Sequence, residues 1–551
     1  MASRVTILAA VSFAVIAVGL TGGPCGCPCG CRRNVSDVTI ASENGGADDS
    51  DPGDAGDLWE CAAEQDFDPS SCPAEAVEPC VIYVDLSALE DGAGTTWDLA
   101  FRSVQQGIDR AYCAVLGGVR TCQVWVRKGV YPVNRGCRSD TFRLRPGVEL
   151  YGGFRGGEQA LAERDWIVNQ TILKGDGPAS EKANTVVTGA DESVLDGIVV
   201  EGGSFRRPVS AGGSCGAGLF VDGAKMVVRH AVFRDNHSQS HGGGVCILGS
   251  TVIIEDSVFA ENTAVSGGAL YAEGSKLKIT GSTFESNVAT GSGAVISSLL
   301  AQENLEISRC SFLHNDAHEN AGAVRNERGG LIVEKSFFSW NRATRSGGGL
   351  WHSVGDLVIR DSFFGENTCA SGEGGGVFSH LADSFSSINT VYWRNSAGGR
   401  GGALMHREGQ PIGIVNSTFV GNRSLASGGA VSLDFLSGLS EIVNSILWDN
   451  TTPSITENGG TLYKAGHNYI DDGPDAGPDG GGEPPGFRDP DAGDLQLLSR
   501  SPCIDRASGQ RAPATDFLGH PRVDDPQTPN RGTGPVPYVD IGAFEYQLET
   551  H

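Results

Sequence analysis

Three histidines, His352, His380 and His406, lie two or three residues beyond a recurring aliphatic position in three successive segments of similar length. Stacked segments would bring such imidazoles to one face, within reach of a single ion. Asn326, Glu327, Arg407 and Asp434 extend the same polar column. Repeats also align like residues for packing reasons, and His380 is one residue out of step, so no metal ligands and no catalytic histidine are expected. Acidic residues are common at turns, as at Asp235, Asp256, Glu261, Glu285, Asp316 and Glu366. Glycoside hydrolysis needs two carboxylates flanking the sugar bond, and a lyase needs a base beside a cation or Arg that steadies an enolate-like intermediate. No outward cluster of two carboxylates with Arg or Lys on adjacent segments is legible, and no GxSxG, HExxH, P-loop or EF-hand string occurs. The expected set of catalytic residues is therefore empty. Binding is the other chemistry available. If the aliphatic positions point inward, the residues after them point outward, giving a stripe of Phe220, Tyr271, Ile296, Arg325, Trp351, Phe378 and Met405. Contiguous exposed aromatics mark contact with a partner or a carbohydrate, unless loops cover them, and Tyr271, Trp351 and Phe378 are the candidate binding residues.

The elements that must position these residues follow from a repeat. Aromatic-x-x-Asn or a close variant recurs with Asn236, Asn262, Asn287, Asn315, Asn341, Asn367, Asn395, Asn422 and Asn450, at spacings of 25 to 28 residues. Phe fills the aromatic place at 233, 259, 284, 312, 338, 364 and 419, with Tyr392 and Leu447 as the departures. A second register runs through Leu219, Val245, Leu270, Val295, Val324, Leu350, Val377, Leu404 and Val431, each preceded by Gly and then Gly or Ala except Leu219, which follows Ala217 and Gly218. Segments such as Leu277 to Asn287 alternate apolar and polar residues over runs too short for helices, so they are strands. A period of this length with several strands per unit predicts a stacked solenoid. The fold class is all-β, a right-handed parallel β-helix of about a dozen coils, with coils ~4.8 Å apart and a rod of roughly 55 to 60 Å. Phe should stack on Phe within it. Asn at a fixed turn should accept unusual backbone angles and bond to the Asn one coil along, forming a structural ladder.

The pair FxxN and GG[AG][VL], over about residues 215 to 450, resembles the repeat of the polymorphic outer-membrane protein family. YGGFRGGE (Tyr151 to Glu158), RDW (Arg164 to Trp166), TILKGD (Thr171 to Asp176), SPCID (Ser501 to Asp505) and VDIGAFEY (Val539 to Tyr546) resemble a related group of right-handed β-helix proteins, with a closing domain like that preceding interchangeable surface anchors. The resemblance implies a pectate-lyase-like solenoid at the cell surface. The translocating β-barrel of the polymorphic family is not expected in the ~100 residues after the last repeat.

The flanks set the domain order. Residues 1–23, with Arg4 before the apolar run Val5 to Leu20, have the layout of a signal peptide, a retained membrane anchor being the other reading. Residues 24–58 are Cys-rich and then acidic and disordered. Cys25 is a candidate lipid acceptor, although Gly22, Gly23 and Pro24 depart from a lipobox. Residues 59–140 form a disulfide-rich cap with an amphipathic helix between Trp97 and Ala114, 141–460 the β-helix repeats, 461–500 an acidic Gly/Pro-rich loop with final strands, and 501–551 a closing segment. Six of 15 cysteines, Cys61, Cys72, Cys80, Cys113, Cys122 and Cys137, fall in one stretch before the repeats and suit disulfides in an exported protein, with pairing left open. A net charge of −26 argues against nucleic acid. Calcium is the one cofactor to consider, at the seven Asp from Asp471 to Asp494. The expected function is an exported, adhesin-like or structural surface module that binds a cell-surface or carbohydrate ligand. The alternative is a polysaccharide lyase or glycoside hydrolase, and membrane contact is expected only through an N-terminal lipid or anchor.

Overall fold

One coil shows why this sequence winds. Leu270–Glu273 is a strand with Leu270 and Ala272 turned inward, and Gly274 reverses the chain at φ +57°. Lys276–Thr280 follows, with Leu277 and Ile279 inside and both lysines outside. Gly281 turns again at φ +63°, and Thr283–Glu285 carries Phe284 into the core. Ser286 at φ +55° and Asn287 form the next corner before Val288–Ala289, and Gly293 at φ +69° starts the following coil. Each strand pairs in parallel with its equivalent one coil on, as Ile254 does with Ile279 and Phe259 with Phe284.

The computed structural model describes residues 67–73, 80–133, 138–176, 182–206, 215–459, 462–472 and 483–548. The signal peptide, Cys25, the acidic tether, Cys61 and Cys137 lie outside the described residues, as do residues 473–482 of the acidic loop. Repeating the coil produces a 24-stranded parallel sheet that wraps two sides of the rod, a 13-stranded sheet on a third side and nine short strands at the Asn corner. This is the all-β parallel β-helix solenoid of about 12 turns that the spacing implies.

The interior is ordered in columns. Phe233, Phe259, Phe284, Phe312, Phe338, Phe364, Tyr392 and Phe419 stack face to face, with centroids 4.5 to 5.4 Å apart, and all are fully buried. Burying each such ring contributes about 1.5–3 kcal/mol. The nine asparagines run beside them as a ladder. Asn341 Nδ2 donates to Asn367 Oδ1 at 3.0 Å and to the Phe312 carbonyl at 2.9 Å, while its Oδ1 accepts from the backbone N–H of Asn315 at 3.2 Å and from Asn315 Nδ2 at 2.8 Å. The same pattern runs from Asn236 to Asn450. The left-handed backbone at this corner belongs to the residue before each Asn, such as Asp235, His314 or Trp340, and not to the Asn itself. The Asn side chain, having two donors and an acceptor aligned with the rod axis, is needed instead for the bonds between coils.

At the N-terminal end the helix α1, Val104–Leu116, sits over the open rod and buries Val104, Ile108, Ala111 and Ala114 against Val84 and Val124. The sequence pattern starts it earlier. Ala100 and Phe101 are extended, because the Phe101 N–H donates to the Tyr83 carbonyl, and the Ser103 hydroxyl caps the helix by accepting from the Gln106 N–H. Disulfides Cys72–Cys113 and Cys80–Cys122 fasten this cap, and Cys215–Cys246 joins two neighbouring coils of the repeats.

At the other end the chain turns back. Phe487–Asp489 and Asp494–Leu497 form an antiparallel pair, and residues up to Tyr546 pack over the outer surface of the 13-stranded sheet, on Val391, Trp393, Val420, Ile446 and Tyr469. Asn389, Asn416 and Asn444, at a second corner, donate to the carbonyls of Thr515, Asp540 and Ser508 and so clip this segment to three successive coils.

Candidate functional site

The outward stripe lies on the first strand of each coil, and strand pairing fixes its members. Arg325 pairs with Trp351, Trp351 with Phe378, and Phe378 with Met405, so these four do stand in one row. Ile296 does not. The left-handed glycine of that coil is Gly293, one residue later than the apolar pattern suggests, and Ile296 pairs with Leu270 and Val324 inside the core. Ser297 takes its place beside Tyr271.

The row is also less open than an uncovered strand would be. Tyr271 is 4% exposed, Phe378 7%, and Met405 fully buried, while Trp351 and Phe220 are half-buried. The cause is the bend that each coil makes before the strand. A left-handed glycine, as at Gly347, Gly374 and Gly401, folds the preceding residues back over the strand's outer face. A Cβ on Gly374 would come within 2.9 Å of the Phe378 Cα, so only glycine allows the bend to sit this close. At Tyr271 the residue carried over is His241, whose ring stacks on it at 4.3 Å. The Tyr271 hydroxyl donates to Glu273, and burial raises its pKa.

Across the four coils from Arg325 to Met405, Trp351 keeps a half-buried ring and Phe378 lies buried beside it. The Trp351 and Phe378 rings lie nearly parallel, 13° apart, with centroids at 6.3 Å. The Arg325 guanidinium stands 5.4 Å from the Trp351 centroid and is ion-paired with Glu327.

Beyond Phe378 the bends bring in residues that sequence reasoning did not connect. Glu373 and Arg400 occupy the place held elsewhere by His241 or Ser, directly before the left-handed glycine. Arg400 contacts Glu373 at 3.3 Å and Asp434 at 2.7 Å, and Arg407 Nη2 contacts Glu373 at 2.9 Å and Asp434 at 3.4 Å. Asp434 is fully buried and also accepts from Asn458 Nδ2 at 2.7 Å. Two carboxylates and two arginines on adjacent coils are thus assembled, a cluster not legible in the sequence. A charged residue replacing Ser before the paired glycines was the signal available. Each carboxylate is held by both guanidinium groups.

The histidines divide between two columns. His352 and His406 point inward with Asn326 and Ser379 and are fully buried, whereas His380 stands in the next, outward column with Glu327, Ser353, Arg407 and Asp434. One residue of phase separates the faces of a strand, so the three imidazoles do not converge. His352 Nε2 lies 3.1 Å from the Gly355 carbonyl and His406 Nε2 2.8 Å from that of Gln410. Burial lowers both pKa values, that of His352 to about 4, and leaves them neutral. Among the described residues no three His, Cys, Asp or Glu side chains are grouped as metal ligands.

The model of the family described as right handed beta helix region matches residues 196–364. Among curated proteins, metabotropic glutamate receptor-like protein Q of Dictyostelium discoideum is 30% identical over 102 residues, which are 18% of this chain and 8% of that protein. The chain thus spans under a tenth of the relative's length. Solved structures with a similar course include pectate lyase Pel9A, at 13% identity and a TM-score of 0.31, covering 87% of this chain and 99% of that one. The A-module of Azotobacter vinelandii mannuronan C-5 epimerase AlgE6 matches at 13% identity and 0.29, over 69% and 99% of the two chains. PfbA, a surface adhesin of Streptococcus pneumoniae, matches at 12% and 0.25, over 64% and 92%.

Proposed function

We propose that the chain is an exported surface module that binds a carbohydrate along the outer face of its first sheet, between Arg325 and Asp434. The observation that carries this reading is the half-buried Trp351 ring, backed by Phe378 and bordered by Arg325 on one side and the Glu373, Arg400, Arg407 and Asp434 network on the other. Flat apolar rings accept the C–H faces of sugars, and ion-paired side chains at the border offer fixed donors and acceptors for hydroxyls. Three arginines and three carboxylates balance within the patch, so a neutral glycan suits it better than a polyanion. The global charge of −26 disfavours nucleic acid. Three disulfides among the described residues support an oxidising, extracytoplasmic setting. The repeat and closing motifs that resemble the polymorphic and anchor-preceding families fit a surface role, with attachment through Cys25 or a retained leader as the proposed membrane contact.

Cleavage is the second reading, favoured by one observation: Glu373 and Asp434, from the coils on either side of Arg407, contact the same guanidinium nitrogen. Affinity electrophoresis of the purified chain in gels containing neutral or acidic polysaccharides tests both. Retardation by a neutral glycan that is lost in Trp351→Ala, with no new reducing ends and no unsaturated product, is the expected result. Release of product that stops in Glu373→Gln would replace binding with catalysis.

A further inference from the structure

One corner of the solenoid differs from the others in what it exposes. In each coil of the repeats the residue that turns the first strand into the second is left-handed. Gly223, Gly249 and Gly274 fill the place at one end and Gly459 at the other, where glycine meets no steric penalty. The six coils between them carry Leu300, Arg328, Val354, Leu381, Glu408 and Phe435 instead, at φ +52° to +61°. Strand register sets these six in one column, since each follows a member of the paired row Leu299, Glu327, Ser353, His380, Arg407 and Asp434.

Bulky side chains are disfavoured in this conformation, the β-branched Val354 most of all. The next corner of the coil is left-handed too, and from His230 to Asn444 it holds only glycine or polar residues. Here four of the six are large, apolar and open to solvent: Leu300 is 48% exposed, Val354 36%, Leu381 43% and Phe435 59%. They lie outside the core, so their packing does not explain the strain. Strain repeated on successive coils for side chains turned to solvent points to contact with another molecule. The order of the column says what that molecule is. Apolar, positive, apolar, apolar, negative, apolar reads the same from either end, except that the charges exchange. About a two-fold axis between Val354 and Leu381, an antiparallel second copy sets Leu300 on the partner's Phe435, Val354 on the partner's Leu381 and Arg328 on the partner's Glu408. Both charges are available. Arg328 is exposed and makes no ion pair among the described residues, and Glu408 meets only the His380 ring there, Nε2 at 3.5 Å.

We infer that this ridge is the contact of a symmetric, antiparallel dimer of the chain. Six corners at ~4.8 Å per coil make a ridge ~24 Å long, and at ~10 Å across it covers roughly 250 Å² per copy, far below the ~800 Å² of a durable complex. The pair therefore belongs to the weak, transient class, with a Kd on the order of 10⁻⁴ M. Exposed Asp356 and Asp383 flank the ridge on one side, and the antiparallel turn brings Asp356 against the partner's Asp383, which opposes the pairing. The same turn leaves both Trp351 rows open to one side, so a pair holds one glycan at two places. That consequence alone rests on the carbohydrate reading; the pairing itself is measured without glycan.

The test is sedimentation equilibrium of the full chain at concentrations up to roughly 500 μM, above the expected Kd. The expected result is a monomer–dimer equilibrium that Arg328→Glu or Glu408→Arg weakens at least tenfold and that the two reversals together restore. Each reversal puts at the corner a residue type it already holds, so the fold is kept. Leu381→Gly, which relieves the backbone, should weaken the dimer without lowering the thermal unfolding midpoint, and Asp383→Asn should strengthen it. A monomer at every concentration would overturn the inference and leave the ridge to a different macromolecule. Self-association that neither single reversal weakens, or that the double reversal fails to restore, would overturn it equally.

Discussion

Asn341 lies in the middle of the asparagine ladder, and its replacement by Ala has a cost that can be counted from its bonds. The backbone N–H of Asn315 and Asn315 Nδ2 lose their acceptor, and the Phe312 carbonyl loses its donor. Asn367 Oδ1 keeps the Asn341 N–H, at 3.1 Å. Three buried groups are left unpaired at about 1–3 kcal/mol each, so the loss is at least about 3 kcal/mol and roughly 6 if no water enters. Asn236→Ala, at the N-terminal end, removes the acceptor of only the Gly203 N–H and the donor to Val200, and should cost about two-thirds as much. Asn341→Asp keeps the acceptors but loses the donors and buries a charge, so at neutral pH it should be worse than Ala, and milder in acid once protonated. Stacked repeats need not unfold in one step, so amide hydrogen exchange of residues 312–367 should accompany urea titration. A loss of 3 kcal/mol corresponds to roughly a hundredfold faster exchange at Asn315. A change below about 1 kcal/mol for Asn341→Ala, with protection intact at Asn315, would refute the ladder as a source of stability.

Three further outcomes are expected. Trp351→Ala should weaken glycan binding at least tenfold in affinity electrophoresis with an unchanged unfolding midpoint, since the ring lies outside the main core; a lowered midpoint with unchanged binding would contradict its proposed role. His352 is held neutral by burial, with a folded pKa of about 4 below its ordinary value near 6.5, so the unfolded chain takes up the proton first. Stability should therefore fall between about pH 6.5 and 4, by up to ~1.4 kcal/mol per pH unit for this group, and His352→Gln should flatten the slope of urea midpoints against pH. Cys246→Ala opens the Cys215–Cys246 bridge and should lower stability by about 2–4 kcal/mol, with one new thiol reactive in urea.

The parts of this molecule that were legible before any coordinates are those in which each coil repeats the last. Phe284 and Asn287 recur because a parallel stack places every residue on its equivalent, so spacing alone identifies the column. Phase is harder to read than period. The extra apolar residue in the coil of Ala294, Val295 and Ile296 concealed which of them follows the left-handed glycine, and Ile296 was placed on the wrong face. Exposure was harder still. Tyr271 and Phe378 do point away from the main core, but the covering bend lies close in sequence while its contacts reach the next coil, and alternation carries no trace of it. Glu373 and Arg400 were missed for the same reason. Nothing periodic announces the closing segment either: its hold on Asn389, Asn416 and Asn444 spans 64 to 126 residues and depends on backbone carbonyls, which any sequence supplies.

The closing segment also bears on how the rod comes apart. A stack of like units ordinarily frays from its ends, one coil at a time, because the last coil has a neighbour on one side only. Here the final coils lie beneath a strap that starts after them and runs back along the flank, with Phe517 reaching Phe337 and Gly542 donating to the Asn444 carbonyl. The terminal coil cannot peel away until the strap has lifted from several coils at once. Unravelling from this end is thereby converted from a sequence of small steps into one large step, and the chain acquires the slow opening and protease resistance of a locked end rather than the loose tip of an open array.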